Sequence, residues 1–349
     1  MKINELLKQT QKIALEDGID LEITKSQNIG NIKKESNHLL ENYFFFDKDY
    51  IFYQYCRLNE KKKQFYDLVF NFKDLKTIVF SFGVSIICED NKIVIKNRGG
   101  DLIPFLPSIS RNISKKCLKK CVNFFFKIVY LLQNYTDQKL VFQSQLLDDL
   151  IKLNNLSHFF QNSKKLEPEM WSVIKLDETI TEIRKNFRKS YRYLLNKKKN
   201  FQYEIIDYKS KKLQKYFNEF REIHFKSAGY STKSQDSWAS QFELIKKKKA
   251  LMFFCSNKDT GYVGAAYIYL DKTKAFYFAG AFVDRKNPIG HFLQDRIIEY
   301  LKKKKIKEYI IGRLIPKSEM INCSEKEKNI SLFKAGWTSS KSLSFRINF

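Results

Sequence analysis

Residues 250–312 constrain the fold more than any other stretch, because they read as three hairpin-linked strands, one amphipathic helix and one further strand. Residues 251–255 are an apolar run ended by a polar stretch at 256–261. The runs 262–270 and 274–282 then flank a tight polar connection at 271–273. Beyond Pro288 the period changes. Leu293, Ile297 and Leu301 recur at helical spacing, and the lysines at 302–305 close the helix where its dipole favours positive charge. Residues 308–311 return as a strand. A strand–helix–strand crossover makes its two strands parallel, and the turn into the helix aims backbone N–H groups at an open sheet edge, where a phosphate can be held.

The 349 residues suit two domains. The polar, proline-containing stretch 161–169 places the boundary, giving domains 1–165 and 166–349. Upstream, strands are expected at 77–82, 84–88 and 92–96, a helix at 114–132 and a strand at 139–142, the same order of elements as in the second half. That order suggests a duplication, with no repeat at the level of residues. In the second half a strand at 171–176 precedes a long basic helix at 178–199 capped by Asp177. A strand at 201–208, helices at 213–226 and 235–247, and a closing strand at 343–349 complete it.

The formal net charge is +26, and most of the 64 basic residues are lysine. Lys, Asn, Ile, Phe and Tyr are all abundant and all have AT-rich codons, so the basic surface reads either as genome composition or as a preference for anionic partners. Cys56, Cys88, Cys117, Cys121, Cys255 and Cys323 form no C-x-x-C pair, and no histidine cluster accompanies them. This predicts reduced, metal-free cysteines. Cys117 and Cys121 share a helix face, but two thiols do not close a zinc site. The charged N-terminus lacks an apolar leader segment and no run is long enough to span a membrane, so a cytoplasmic location is expected.

The order from residue 201 onward resembles the GNAT acyltransferase fold. Three stretches narrow the resemblance to the Fem-type peptidoglycan-bridge aminoacyltransferases and their acetyltransferase-like relatives. One is the basic segment from Ile183 to Arg192, which is similar to the helix that opens the second domain there. Another runs from Tyr277-Phe278-Ala279-Gly280-Ala281 through Asn287-Pro288-Ile289-Gly290-His291 to Tyr309-Ile310-Ile311-Gly312. The third, Leu332-Phe333-Lys334-Ala335-Gly336-Trp337, resembles the F-K-x-G-F signature, with Trp337 as its last residue. The resemblance covers residues 171–349 and implies an α+β fold of two GNAT-like domains in tandem, each a mixed, mostly antiparallel sheet flanked by helices, the N-terminal one degenerate. It also implies transfer of an acyl group from an acyl-CoA-type thioester or an aminoacyl-tRNA to an amine. The acceptor would be a sugar- or nucleotide-linked precursor of the cell envelope or of a polysaccharide, with no tightly bound cofactor.

The resemblance places Lys334 at the acceptor, where an ammonium can neutralise a developing oxyanion, between Phe333 and Trp337. It matches Lys233 to a position that binds an acceptor phosphate. The GNAT acyl-CoA loop, R/Q-x-x-G-x-G/A, would use Arg285 and Gly290, with Pro288 where its first glycine is expected; proline removes one N–H from a phosphate cradle, and it also suits the first turn of a helix. Arg285 and Gly290 keep part of that cradle, and no helical arm interrupts residues 203–312, so a thioester donor is slightly favoured over a tRNA. From the residues themselves, Tyr277 is either a proton donor or a core aromatic, and Asp284 either a base or the end of its strand. His291 opens a helix where an anion could touch it, whereas His224 falls on a buried helix face. Arg188 and Arg192, one turn apart, form either an anion-binding pair or a solvated face. The competing class of function is a non-catalytic basic module that binds RNA or another anionic polymer.

Overall fold

Phenylalanines alternating along two neighbouring strands set the first core. The computed structural model describes residues 3–26, 47–58, 64–89, 92–98, 104–136, 139–144, 150–196, 201–258, 261–284, 286–338 and 341–349. They fall into two compact units, Met1–Pro168 with Ser344–Phe349, and Glu169–Leu343. The first contains α1 (Ile3–Glu16), β1 (Asp20–Ser26), α2 (Lys48–Leu58), β2 (Gln64–Asp74), β3 (Thr77–Glu89), β4 (Lys92–Lys96), β5 (Ser108–Ile109), α3 (Lys115–Gln133), β6 (Val141–Gln143) and α4 (Leu150–Gln161). Strands β1-β2-β3-β4 pair in that order, all antiparallel. Residues 77–89, expected as two strands, form one.

Because side chains alternate across a strand, the β2–β3 register puts Phe70 opposite Phe82 and Phe72 opposite Phe80 on one face. These rings meet Phe124 and Phe125 of α3, with Phe82 and Phe125 edge to face at 5.0 Å. The same alternation makes the other face polar, pairing Asp67 with Ser85 and Asn71 with Ser81. Asp67 and Arg98 are 1% and 5% exposed. Arg98 Nε donates to Asp67 Oδ2 at 2.8 Å and Ser85 Oγ to Oδ1 at 3.0 Å, so both carboxylate oxygens are satisfied. Burial and the Asp67 charge hold the phenol of Tyr55 neutral. On α3, Cys117 and Cys121 bring their sulfurs to 4.0 Å as free thiols, and burial pushes Cys121 up to about 12. No group of three metal-ligating side chains occurs among the described residues.

The second unit's elements are β7 (Lys165–Lys175), which begins in the first, α5 (Ile180–Lys185), α6 (Lys189–Asn196), β8 (Phe201–Ile206), α7 (Leu213–Ala228), α8 (Gln235–Lys246), β9 (Ala250–Asn257), β10 (Gly261–Leu270), β11 (Lys274–Phe282), α9 (Ile289–Lys303), β12 (Glu308–Arg313), α10 (Glu325–Ala335) and β13 (Lys341–Asn348). Its strands run β7-β12-β11-β10-β9-β8. All neighbours are antiparallel except β11 and β12, which the α9 crossover makes parallel. The core beneath α9 gathers Leu293, Ile297 and Leu301, the positions that carry the helical period, with Phe253, Ile268 and Tyr309.

Two expectations are corrected. The long basic helix is two short ones, because the Arg188 N–H leaves the helical ladder and donates to Gly336 O at 2.8 Å. Its first cap is Thr179, in a reciprocal capping box with Glu182, and not Asp177. The two units divide after Pro168, inside the stretch 161–169, where Gln161 ends α4, Lys164 N–H donates to Asn348 O at 2.8 Å, and β7 starts at Lys165. The closing strand sends Ser344–Phe349 to the first unit, where Arg346, Ile347 and Asn348 pair with β6.

The buried ion pair in the first unit sets a stability test. Arg98→Met should cost about 3–5 kcal/mol in urea unfolding, because it leaves the Asp67 carboxylate buried without its counter-ion. Arg98→Met combined with Asp67→Leu should recover much of the loss.

Candidate active site

Strands β11 and β12 share only three residue pairs, Lys274↔Glu308, Ala275↔Tyr309 and Phe276↔Ile310. Past these they part. Gly312 and Arg313 go on to pair with Ser172 and Trp171 of β7, while Tyr277 to Phe282 follow β10. A notch therefore opens between Tyr277 and Gly312, bordered by main-chain groups. Gly312 has φ +138°, a conformation that L side chains rarely adopt, and a side-chain carbon there would stand 2.8 Å from Lys334 Nζ. The missing side chain is the seat of the Lys334 ammonium. That seat was readable only as a glycine inside a strand, the usual mark of a close approach.

Lys334 is half-buried, and no carboxylate among the described residues lies within ion-pair distance of it. Burial holds it below the ordinary lysine value, and the neighbouring Arg313 guanidinium pushes the same way. Arg313, which the sequence did not single out, is itself anchored by Glu169 at 2.9 Å and Glu319 at 3.0 Å. Among the described residues, the notch thus has Arg313 committed to carboxylates and Lys334 not. The Lys334 carbonyl accepts from Ser172 Oγ at 2.8 Å, and Ser331 Oγ accepts from the Ile315 N–H at 2.9 Å, which ties α10 to the sheet.

Each part of the F-K-x-G-W stretch has a contact. Phe333 packs on His291 at 5.1 Å. Gly336 makes room for Tyr191, whose ring would lie 2.2 Å from a side-chain carbon there and whose hydroxyl donates to Phe333 O at 3.2 Å. Trp337 is fully buried against Phe187 at 5.0 Å and Tyr191 at 5.1 Å. His291 Nε2 and Trp337 Nε1 are buried there without hydrogen-bond partners among the described residues. Burial, then Arg188, pushes His291 down to about 4, so its ring is neutral at pH 7.

Tyr277 stands at the point of parting. Burial raises its pKa against a smaller pull from Gln294, so the phenol keeps its proton. Gln294, 1% exposed, accepts from Tyr309 OH at 2.8 Å, and this contact fixes the amide beside Tyr277. Asp284 works inside its own loop: Asn287 Nδ2 donates to Oδ2 at 2.6 Å, and the N–H groups of Lys286 and Asn287 reach Oδ1. Those bonds, the Asn287 side chain first, hold its carboxyl below the ordinary value. Pro288 caps α9, and a side-chain carbon at Gly290 would meet the rings of Phe282 at 3.3 Å and Phe333 at 3.6 Å. Arg285 lies outside the described residues.

The remaining candidates lie elsewhere in the unit. Arg188 and Arg192 are exposed, and Arg188 sits over the Tyr191 ring at 5.2 Å. Lys233 lies over Trp238 at 4.3 Å, beside a cavity of about 570 Å³ lined by Arg221, His224, Phe225, Tyr230, Thr232 and Trp238 among others. His224 is half-buried and bonds Thr232 at 3.2 Å, and burial followed by Lys233 pushes it down to about 4.

The fold has counterparts among solved structures. FemX aligns with a TM-score of 0.55 over 85% of this chain and 91% of its own, at 11% identity. The chain has a GNAT-type, FemX-like fold. L-PGS from Bacillus licheniformis aligns at 0.55 over 94% and 93% of the two chains, with 12% identity. The C-terminal domain of a putative lysylphosphatidylglycerol synthetase from Agrobacterium fabrum aligns at 0.54 over 92% of each, with 10% identity. No protein family matches the sequence, and no curated protein matches it. The FemX-like fold is thus carried here by pairing and packing, with little identity of residues.

Two neutral buried histidines give the FemX-like unit a pH signature. Their folded values, about 4, lie below the ordinary 6.5, so below pH 6.5 the unfolded chain binds protons that the folded chain does not. Stability present above pH 6.5 should fall as pH drops toward 4. Urea midpoints of His291→Gln measured between pH 7 and 4.5 should fall less steeply than wild type, by about one proton's worth.

Proposed function

We propose that the chain is an acyltransferase that passes an aminoacyl or other acyl group from an activated donor to the amine of a cell-envelope or polysaccharide precursor. The observation that carries this reading is the uncommitted Lys334 ammonium, seated over Gly312 where β11 and β12 part. An attacking amine converts the acyl carbonyl to a tetrahedral oxyanion, and a half-buried cation with no counter-ion among the described residues stabilises that charge better than it stabilises the neutral carbonyl. The amine nitrogen forms its bond to the acyl carbon and the carbon–donor bond then breaks. The attacking nitrogen must lose a proton and the departing atom gain one, and the neutral Tyr277 phenol is the candidate relay, giving its proton to the departing atom and taking the one the nitrogen releases.

Pro288 lacks one N–H of a pyrophosphate cradle, and the Phe282 and Phe333 rings crowd Gly290. Both features support an aminoacyl ester donor, as on a charged tRNA, over acyl-CoA. The FemX and lysylphosphatidylglycerol synthetase likenesses are consistent with a cell-envelope acceptor.

Incubating the chain with a charged tRNA pool and amine-bearing envelope precursors, with transfer read by mass spectrometry, tests this. Lys334→Met should lower turnover by about two orders of magnitude. Its unfolding midpoint should stay equal to wild type or rise, since an unpaired, partly desolvated ammonium is removed. Gly312→Ala should lose activity with Lys334 still present, because its methyl group occupies the ammonium's seat. Transfer from acetyl-CoA alone would reverse the donor assignment, and no transfer from either donor would favour the non-catalytic polymer-binding module.

A further inference from the structure

At the other end of β12 the same sheet gathers lysine. The registers Ile206↔Met252, Ala250↔Tyr269, Leu270↔Ala275 and Lys274↔Glu308 bring the connections 207–212, 246–249, 271–273 and 302–307 together at one end. These nineteen residues hold thirteen lysines and two aspartates. They thus carry a net charge of eleven out of the chain's formal +26, where an even spread over 349 residues would give them one or two. Codon bias enriches lysine everywhere and does not account for this clustering. Asp177 and Glu178, just past β7, bound the patch, and there Lys302 Nζ donates to Leu176 O at 2.9 Å.

A second observation concerns how the helices end. Helix α7 closes on Gly229 at φ +82°, the residue that a left-handed cap favours. The two helices that end at the lysine-rich face do otherwise: Lys248 has φ +63° and Lys305 φ +60°. Both turns are closed by N–H groups that reach back to the helix, Lys249 to Leu244 O at 2.9 Å and Ile306 to Leu301 O at 3.1 Å. Glycine would relieve both positions, so the charge is kept at a cost in stability.

Tyr208, 38% exposed, projects from the same end with Lys248 Nζ at 4.8 Å and Lys209 Nζ at 5.6 Å from its ring. An exposed aromatic ring framed by cations is the element from which a nucleic-acid stacking platform is built. No other large apolar side chain in these connections is exposed, so nothing there would insert among acyl chains. Lysine without arginine suits contacts to phosphates irrespective of base.

We propose that this end of the second unit's sheet is a docking surface for the phosphodiester backbone of RNA, with Tyr208 stacking on an unpaired base. The surface is separate from the Lys334 notch and does not depend on the transferase reading.

The test is fluorescence anisotropy of the full chain with deacylated bulk tRNA between about 50 and 300 mM salt. Wild-type binding should weaken steeply with salt, and Lys248→Gly combined with Lys305→Gly should make the slope of log K against log salt shallower by about two. The same variant should melt at a higher temperature, because glycine relieves both left-handed caps. Tyr208→Ser should weaken binding roughly tenfold without changing the slope. Lys8→Gln combined with Lys119→Gln, exposed lysines of the first unit, should leave the slope as it was. Equal loss in the two lysine pairs would overturn the proposal, as would a Tyr208 variant that binds like wild type. It also fails if the glycine pair abolishes binding to phosphatidylglycerol vesicles while tRNA binding is unaltered.

Discussion

The parting of one parallel strand pair is the constraint on which the candidate site depends. Parallel pairing here requires the α9 crossover, and the crossover lays strands β11 and β12 side by side for only three residue pairs. Beyond them each strand keeps its other neighbour, so the sheet stays whole while a notch opens within it. Backbone groups along that notch would be costly to leave uncovered in an apolar interior. Here they border the space that the Lys334 ammonium occupies.

What holds Lys334 in that space is mostly not α10 itself. Within that helix Ser331 is buried and the flanking Ile330 and Leu332 are exposed, so little apolar area fixes it. Its position comes from ties at the ends: the Ser324–Glu327 capping box, the Ser172 and Ser331 hydroxyl bonds, and the anchoring of Phe333 and Trp337 among Tyr191, Phe187 and His291. The break between α5 and α6 belongs to the same device, since the Arg188 N–H that leaves the helix goes to Gly336, next to the tryptophan. Arg184 locks α5 onto α9 through a two-pronged bond to the buried Asp295, at 2.8 Å on each oxygen, with Glu299 beside it. Such ties offset an ammonium and two buried ring nitrogens nearby that have no partner among the described residues. Instability concentrated at one place and rigidity around it is the usual physical condition of a site that binds or reacts.

Much of this was legible in the residues. Apolar runs between polar turns marked the strands of the hairpin region, the change of period marked α9, and the crossover rule required β12 to be parallel, because each depends only on local sequence and chain connectivity. The F-K-x-G-W stretch was legible as a unit, although the reason for its glycine was not: the Tyr191 ring that fills the space comes from a segment far away in sequence. Strand β2 escaped notice even though its alternation is regular, and the long basic helix failed because the contact that breaks it, to Gly336, is equally remote.

Element order, the parallel crossover and the abundance of lysine were thus determined by the sequence alone, since periodicity, chain connectivity and composition are local properties. Tertiary structure alone decided that Gly312 seats Lys334, that Gln294 and Tyr309 stand behind Tyr277, that Asp284 is used up by its own loop, and that four separate lysine-bearing connections meet at one end of a sheet. Apart from the Asp284 loop, each of these is a distance between residues separated in the chain. Such distances are set by strand register and helix packing, which no single segment of sequence contains.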